Sequence, residues 1–156
     1  MKQKKILLIA SIGGHLTQIL QLESLFKNYN YHIVTERSVI AQGLREKYPV
    51  SLLLHGGRNY PVRYTFKFLY NICKSVMIFL WNRPDVIITT GAHTAVPMCY
   101  VAKLFRRKVI FIESYAKSSS PTLSGRLVYP ISDLFIVQWE SMKEIYPKAI
   151  YGGCVY

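Results

Sequence analysis

Lys5-Ile-Leu-Leu-Ile-Ala-Ser-Ile-Gly-Gly-His15 is the stretch that decides the fold. Apolar residues run unbroken from Ile6 to Ala10 and stop at Ser11-Ile12-Gly13-Gly14. A strand wet on one face alternates polar and apolar residues. An unbroken run suits a strand buried on both faces, as in a parallel sheet. The run resembles the start of a signal peptide but is too short for an h-region. From His15 to Lys27 apolar residues fall at Leu16, Ile19, Leu20, Leu22, Leu25 and Phe26, a helical spacing. Strand, glycine turn and helix follow in order, which is the opening of an α/β unit.

The same alternation continues outward. Strands are expected at 31–36, 50–54, 85–90, 109–113 and 134–137, with a last extended piece at 149–151. Helices are expected at 38–47, 63–82, 95–105, 123–129 and 142–146. Several strands lack two-residue alternation. The pattern predicts one Rossmann-like domain, a parallel sheet with helices on both faces. No internal repeat, low-complexity segment or domain boundary is visible.

The chain has 156 residues, 51% hydrophobic and 18% charged, which excludes a disordered protein. Its net charge of +12 points to an anionic partner. Cys73, Cys99 and Cys154 stand far apart without a CxxC pair, which argues against a disulfide framework and against a metal site. No stretch of about 20 apolar residues suggests a membrane span. Helix-turn-helix, RNP and zinc motifs are absent, so nucleic acid is not the expected partner.

Ligands of such sheets bind beyond the carboxyl ends of the strands. The unusual residues cluster there. Gly13 and Gly14 let backbone approach a ligand, and a helix N-terminus favours an anion. GGHLTQ does not meet the dinucleotide fingerprint, although Glu36 stands where a ribose-binding acid would. His15 is placed to accept a proton near neutral pH. Gly91-Ala92-His93-Thr94 repeats the arrangement after the fourth strand, where Thr94 serves either a ligand or a helix cap. Glu113-Ser114 ends the fifth strand in a basic region: between 48 and 126, Asp85 and Glu113 are the only acids against eleven Lys and Arg.

On a helical wheel of 63–81, Arg63, Lys67, Asn71, Lys74 and Ser75 form one stripe. Phe66, Phe68, Leu69, Ile72, Val76, Met77, Phe79 and Leu80 cover most of the rest. A basic stripe beside a broad aromatic face suits a helix lying on an anionic bilayer. Arg58, Arg63, Lys67 and Lys74 would meet headgroups, and Phe68, Phe79 and Trp81 would enter the interface. The alternative is a crossover helix packed on the sheet with snorkelling lysines.

SIGGHLTQ, DVIITTGAHTAVP, VIFIESYAKSSSPTLSGRL and YGGCVY, in this order, resemble small bacterial polysaccharide-biosynthesis proteins. Those proteins are related to the membrane-anchoring, acceptor-side subunit of the split dolichyl-diphosphate GlcNAc transferase. The blocks are also similar to the N-terminal half of the single-chain GlcNAc transferase that makes the lipid-linked peptidoglycan precursor. The resemblance implies a two-domain GT-B architecture divided over two polypeptides, with this chain the N-terminal, acceptor-binding half. A second glycosyltransferase subunit would carry the UDP-sugar donor site, so no cofactor of this chain's own is expected. The acceptor would be an undecaprenyl-diphosphate-linked saccharide in capsule or exopolysaccharide assembly. The chain would be peripheral, on the cytoplasmic face of the cell membrane. His15 and Glu113 match the acceptor-site motifs. His93 stands at an aromatic position, and Ile112, Ser114 and Tyr115 replace other members of the last motif. The expected catalytic pair is His15 and Glu113, and Gly13, Gly14, Gly91, His93, Thr94 and Ser114 are expected to bind acceptor and phosphate. A non-catalytic enhancer of the partner and a nucleotide-binding oxidoreductase are the rival readings.

Overall fold

The structure, a computed structural model, describes residues 3–55 and 61–155, and the side chains of all these except 61–64. Strands β1 (Lys5–Ile9), β2 (Asn30–Glu36), β3 (Val50–Leu53), β4 (Val86–Thr89), β5 (Lys108–Ile112), β6 (Leu134–Val137) and β7 (Ile150–Tyr151) form one sheet. The order is β3-β2-β1-β4-β5-β6-β7, with every neighbouring pair parallel. Chain order reverses between β1 and β4. The helices are α1 (Gly14–Gln21), α2 (Glu23–Phe26), α3 (Val39–Gly43), α4 (Pro61–Asn82), α5 (Ala95–Leu104) and α6 (Leu123–Val128).

β1 shows why an unbroken apolar run was needed. Leu7 and Ile9 join a core with Phe79 of α4, Met98 and Ala102 of α5 and Val128 of α6. Ile6 and Leu8, pointing the other way, join Leu16, Ile19 and Phe26 of α1 and α2. Helices therefore cover both faces, and the Rossmann-like expectation holds. On the α1 side, α2 leaves an apolar groove of about 340 Å³ against Val86, Ile88 and Ile110.

Some helices differ from their expected form. The helix expected over 15–27 breaks at Leu22, and Leu22 and Phe26 then both bury. The one expected over 38–47 shortens to α3 and a 3-10 turn. The one expected over 142–146 is a 3-10 turn at Glu140–Lys143.

Helix α4 is the largest departure. Asn71 and Ser75 of its polar stripe face inward, and much of its apolar stripe faces out. Asn71 is buried, accepting from Leu54 N and donating to Leu54 O, each at 2.8 Å, so it extends the edge of the sheet beyond β3. Ser75 is buried as well. Phe66, Leu69, Tyr70, Met77 and Leu80 are exposed, and Trp81 is 86% exposed. Phe79 is a correction: at 3% exposure, 5.3 Å from the Phe105 ring, it belongs to the core and cannot enter a membrane. Arg58 and the side chain of Arg63 lie outside the described residues. Lys67 and Lys74 are half-buried along one flank of the outward stripe. Lys67 Nζ donates to His55 O at 3.0 Å, and Lys74 Nζ lies 5.6 Å from the Tyr70 ring centre.

Candidate functional site

Gly13 closes β1 with φ 83° and ψ −142°, a conformation that only glycine adopts without strain, and so turns the chain into α1. His15 follows on the first turn. After β4, Gly91 has φ 109° and Ala92 φ 84°, the latter a positive value on a residue with a Cβ. A side chain on Gly91 would touch the His15 ring at 3.4 Å. Thr90 Oγ1 donates to His15 O at 2.9 Å and ties the two loops together. Both loops stand where strand order reverses, the position at which open α/β sheets bind ligands.

His15 and His93 line one cavity of about 590 Å³. Ser11, Thr122 and Ser124 add hydroxyls, and Phe68 of α4 and Leu127 of α6 add apolar wall. Burial lowers the His15 pKa from 6.5. The Thr90 backbone and the charge of Glu113 pull it upward, and burial prevails. His15 is therefore a neutral ring at pH 7, able to accept a proton. Phe68 was expected at a membrane interface. It lines this cavity instead, because its position on α4 faces the sheet's end and not the outward stripe.

Glu113 is held on all sides by its own surroundings. It is 1% exposed, and its carboxylate accepts from Ser114 N, Thr122 N, Thr122 Oγ1 and Tyr146 Oη at 2.9–3.3 Å. A Cβ on Gly125 would collide with Glu113 Oε2 and Tyr146 Oη. The residue shapes the 114–122 loop, and its charge is felt at the His15 ring, whose pKa it raises. Ser114 belongs to that loop and does not line the cavity, although its neighbours Thr122 and Ser124 do. Thr94 does not cap α5 with its side chain. It is buried, and its Oγ1 has no hydrogen-bond partner among the described residues. Gly13 and Gly14 are exposed beside His15.

One constellation escaped the sequence. Glu36, at the end of β2 and 1% exposed, meets His55 Nδ1 through Oε2 at 2.6 Å and stands 3.7 Å from His93 Nε2 through Oε1. Three different strand ends supply these residues, so no local spacing could reveal them. Among the described residues, no three His, Cys, Asp or Glu are arranged to hold a metal ion.

Residues 59–155 match the family described as "Oligosaccharide biosynthesis protein Alg14 like". The chain belongs to the Alg14-like family. Its relatives include the UDP-N-acetylglucosamine transferase subunit ALG14 of Mus musculus, 30% identical over 96% of this chain and 82% of that protein. The subunit of the same name from Candida albicans is 41% identical over 54% of this chain and 42% of that protein. Among solved structures, the Alg14-like chain superposes on Acinetobacter baumannii MurG with a TM-score of 0.70 at 15% identity, over 88% of its length. It superposes on the UDP-N-acetylglucosamine 2-epimerase of Rickettsia bellii with a TM-score of 0.73 at 15% identity, over 94% of its length. It spans 42% of each of those two chains. These likenesses show the Rossmann-like fold that the chain shares with those proteins.

Proposed function

We propose that this chain is the acceptor-binding, membrane-docking subunit of a two-chain UDP-sugar glycosyltransferase. Its acceptor is an undecaprenyl-diphosphate-linked saccharide in capsule or exopolysaccharide assembly, and it works peripherally on the cytoplasmic face of the membrane. A second glycosyltransferase subunit carries the donor site. The observation that carries this reading is the cavity at the β1/β4 reversal, with a neutral His15 in its wall, in a chain whose relatives are named transferase subunits.

Inverting sugar transfer needs a donor, an acceptor hydroxyl and a base held together away from water. The chain supplies one rim of such a cleft. His15 takes the hydroxyl proton as that oxygen bonds to the anomeric carbon, and the nucleoside diphosphate leaves with the electron pair of its bond. Gly13, Gly14 and the 91–94 loop offer backbone N–H groups and partial positive charge to the acceptor's phosphates.

The outward apolar stripe of α4, flanked by Lys67 and Lys74, supports the membrane part. Each basic residue near an anionic surface adds on the order of 1 kcal/mol. Lys67→Glu/Lys74→Glu therefore co-sediments less with anionic vesicles than wild type, and equal binding rejects α4 as the docking face. No described helix is long and apolar enough to cross a membrane.

The decisive experiment mixes the chain with a donor-side glycosyltransferase subunit, UDP-GlcNAc and a polyprenyl-diphosphate-linked acceptor. The mixture transfers sugar, and neither chain alone matches its rate. A chain that transfers alone at the mixture's rate refutes the two-subunit reading. An enhancer without chemistry of its own has one point in its favour, since the fold consumes Glu113. In that case His15→Ala leaves the mixture's turnover unchanged.

A further inference from the structure

The edge of the sheet holds a second concentration of charge, apart from the His15 cavity. β3 pairs with β2 on one side and, among the described residues, has no strand on the other. A cavity of about 400 Å³ lies against this edge. Its wall takes Arg37 from the end of β2, Arg45 from the 3-10 turn before β3, and Tyr70 and Lys74 from α4. Leu53 O accepts from Arg37 N on the β2 side. Backbone groups of successive strand residues point to opposite sides, so Leu52 turns its N–H toward the outer edge and the cavity it lines.

Three cations gather in this wall without an acid. All eight Asp and Glu of the chain lie among the described residues, and none of them lines the cavity. Glu46, next to Arg45 in the chain, is exposed and outside the wall, and Glu36, next to Arg37, is buried against His55. Other cations are spent on partners: Lys103 and Lys108 on Asp133, and Arg107 on Asp85. Arg37 and Arg45 have no such ion pair among the described residues, and Lys74 Nζ stands 5.6 Å from the Tyr70 ring centre. Like charges gathered in one concavity raise its potential, and an anion lowers it. Guanidinium groups suit a phosphate, whose oxygens accept their paired N–H donors.

The elements on either side of the cavity expose apolar side chains. Helix α3 begins two residues after Arg37 and exposes Val39 at 87% and Ile40 at 75%. Across the cavity, α4 exposes Phe66, Leu69 and Tyr70. Cations set between two apolar projections match the layers of a bilayer surface. The projections enter the acyl boundary while the cations stay level with the phosphates.

We propose that this cavity binds the phosphate headgroup of an anionic phospholipid, with Arg37, Arg45 and Lys74 as its cationic wall and Val39 and Ile40 entering the bilayer beside it. The proposal rests on the membrane-docking reading above and extends the contact from α4 to the edge of the sheet.

Phosphatidylcholine vesicles with and without phosphatidylglycerol are the probe, used with the full chain. A basic residue near an anionic surface is worth about fivefold in affinity. Arg37→Ala/Arg45→Ala should therefore weaken binding to the phosphatidylglycerol vesicles by about 25-fold and flatten its salt dependence. Lys143→Ala/Lys148→Ala removes the same charge beyond β6, at the opposite edge of the sheet, and should cost less than about threefold. Val39→Ser/Ile40→Ser should weaken binding with its salt dependence unchanged, because it removes apolar contact and no charge. Urea midpoints check that each variant folds.

Equal losses in the arginine variant and the opposite-edge variant overturn the proposal and leave the α4 docking face to its own test. A wild type that binds both kinds of vesicle equally overturns it too. Tight binding of inorganic phosphate without vesicles, lost in the arginine variant, makes this a site for a free anion and overturns the lipid assignment. If the two-chain mixture transfers no sugar while the arginine variant alone loses the vesicles, the headgroup site stands and the transferase reading falls.

Discussion

The strand ends on the two sides of the cavity are built on opposite terms. Beyond β5 and β6 the polar groups answer one another. Glu113 collects four donors, Gln138 Nε2 donates to Glu113 O at 2.9 Å, and Gln138 Oε1 accepts from Val155 N at 3.1 Å. Beyond β1, β2 and β4 they do not: Thr94 Oγ1 and Glu36 Oε1 are buried without a hydrogen bond among the described residues, and backbone strain collects at Ala92. Buried polar groups are normally satisfied, so an exception asks for an explanation. The satisfied side holds its own loop in shape, and the unsatisfied side leaves polar groups that a ligand would complete.

The sharpest test of that difference is one substitution on each side. His15→Ala should lower kcat of the two-chain enzyme by about 10²–10⁴-fold, the usual worth of a general base. Its urea midpoint should stay near that of wild type. Normal turnover at saturating acceptor would put the chemistry elsewhere and favour the enhancer reading. Glu113→Ala should do the reverse. It strands Thr122 and Tyr146 hydroxyls in the interior and should cost about 3 kcal/mol in urea unfolding. Any loss of activity should follow the loss of folded protein. A Glu113→Ala variant that folds with wild-type stability but has no turnover would return Glu113 to the reaction.

Asn71 and Ser75 carry the comparison into α4. Asn71→Ala removes both partners of the Leu54 backbone and should cost about 2 kcal/mol. Ser75 is buried with an Oγ that has no partner among the described residues, and it is not in the wall of the His15 cavity. Ser75→Ala should change stability by less than about 1 kcal/mol, in either direction. A large loss there would mean that the hydroxyl is satisfied after all, and that an orphaned atom is a poor guide to function in this protein.

The smallest effect concerns protons. Burial lowers the pKa of both His15 and His32 from 6.5. The unfolded chain therefore binds protons that the folded chain refuses, so these two residues cost stability as pH falls below about 6.5. Urea unfolding at pH 7.5 and 5.5 should show this decline, and it should be shallower in His15→Gln. An equal or steeper decline in the variant would mean that His15 titrates normally in the fold.

Much of the architecture was legible because it is written locally. Most strands are apolar runs that stop at a polar residue or glycine, and all seven end within a residue of their expected bounds. The two glycine loops were readable for the same reason. The orientation of α4 was not. A wheel separates Asn71 and Ser75 from Phe66 and Met77 but cannot say which stripe turns inward when the edge strand wants an amide. The partners of Glu113 were hidden for a related reason. An acid at a strand end looks available until Thr122 and Tyr146 arrive from much further along the chain. Glu36, His55 and His93 meet only once the sheet has ordered β2, β3 and β4.

The turned-round α4 also sets a height. The same helix gives Phe68 to the cavity and Trp81 to the outside, on roughly opposite sides of a cylinder about 10–12 Å across. Along the axis the two are separated by about 20 Å at 1.5 Å per residue. With the outward stripe resting on a bilayer, the cavity sits about one helix diameter above it and off to one end. That exceeds a headgroup layer of about 5–7 Å and falls well short of the roughly 30 Å hydrocarbon core. A lipid-linked ligand could then lift its polar end to His15 and His93 while its chain stays in the membrane. Lengthening or shortening the helix between Phe68 and Trp81 would tilt that geometry without touching any residue of the site.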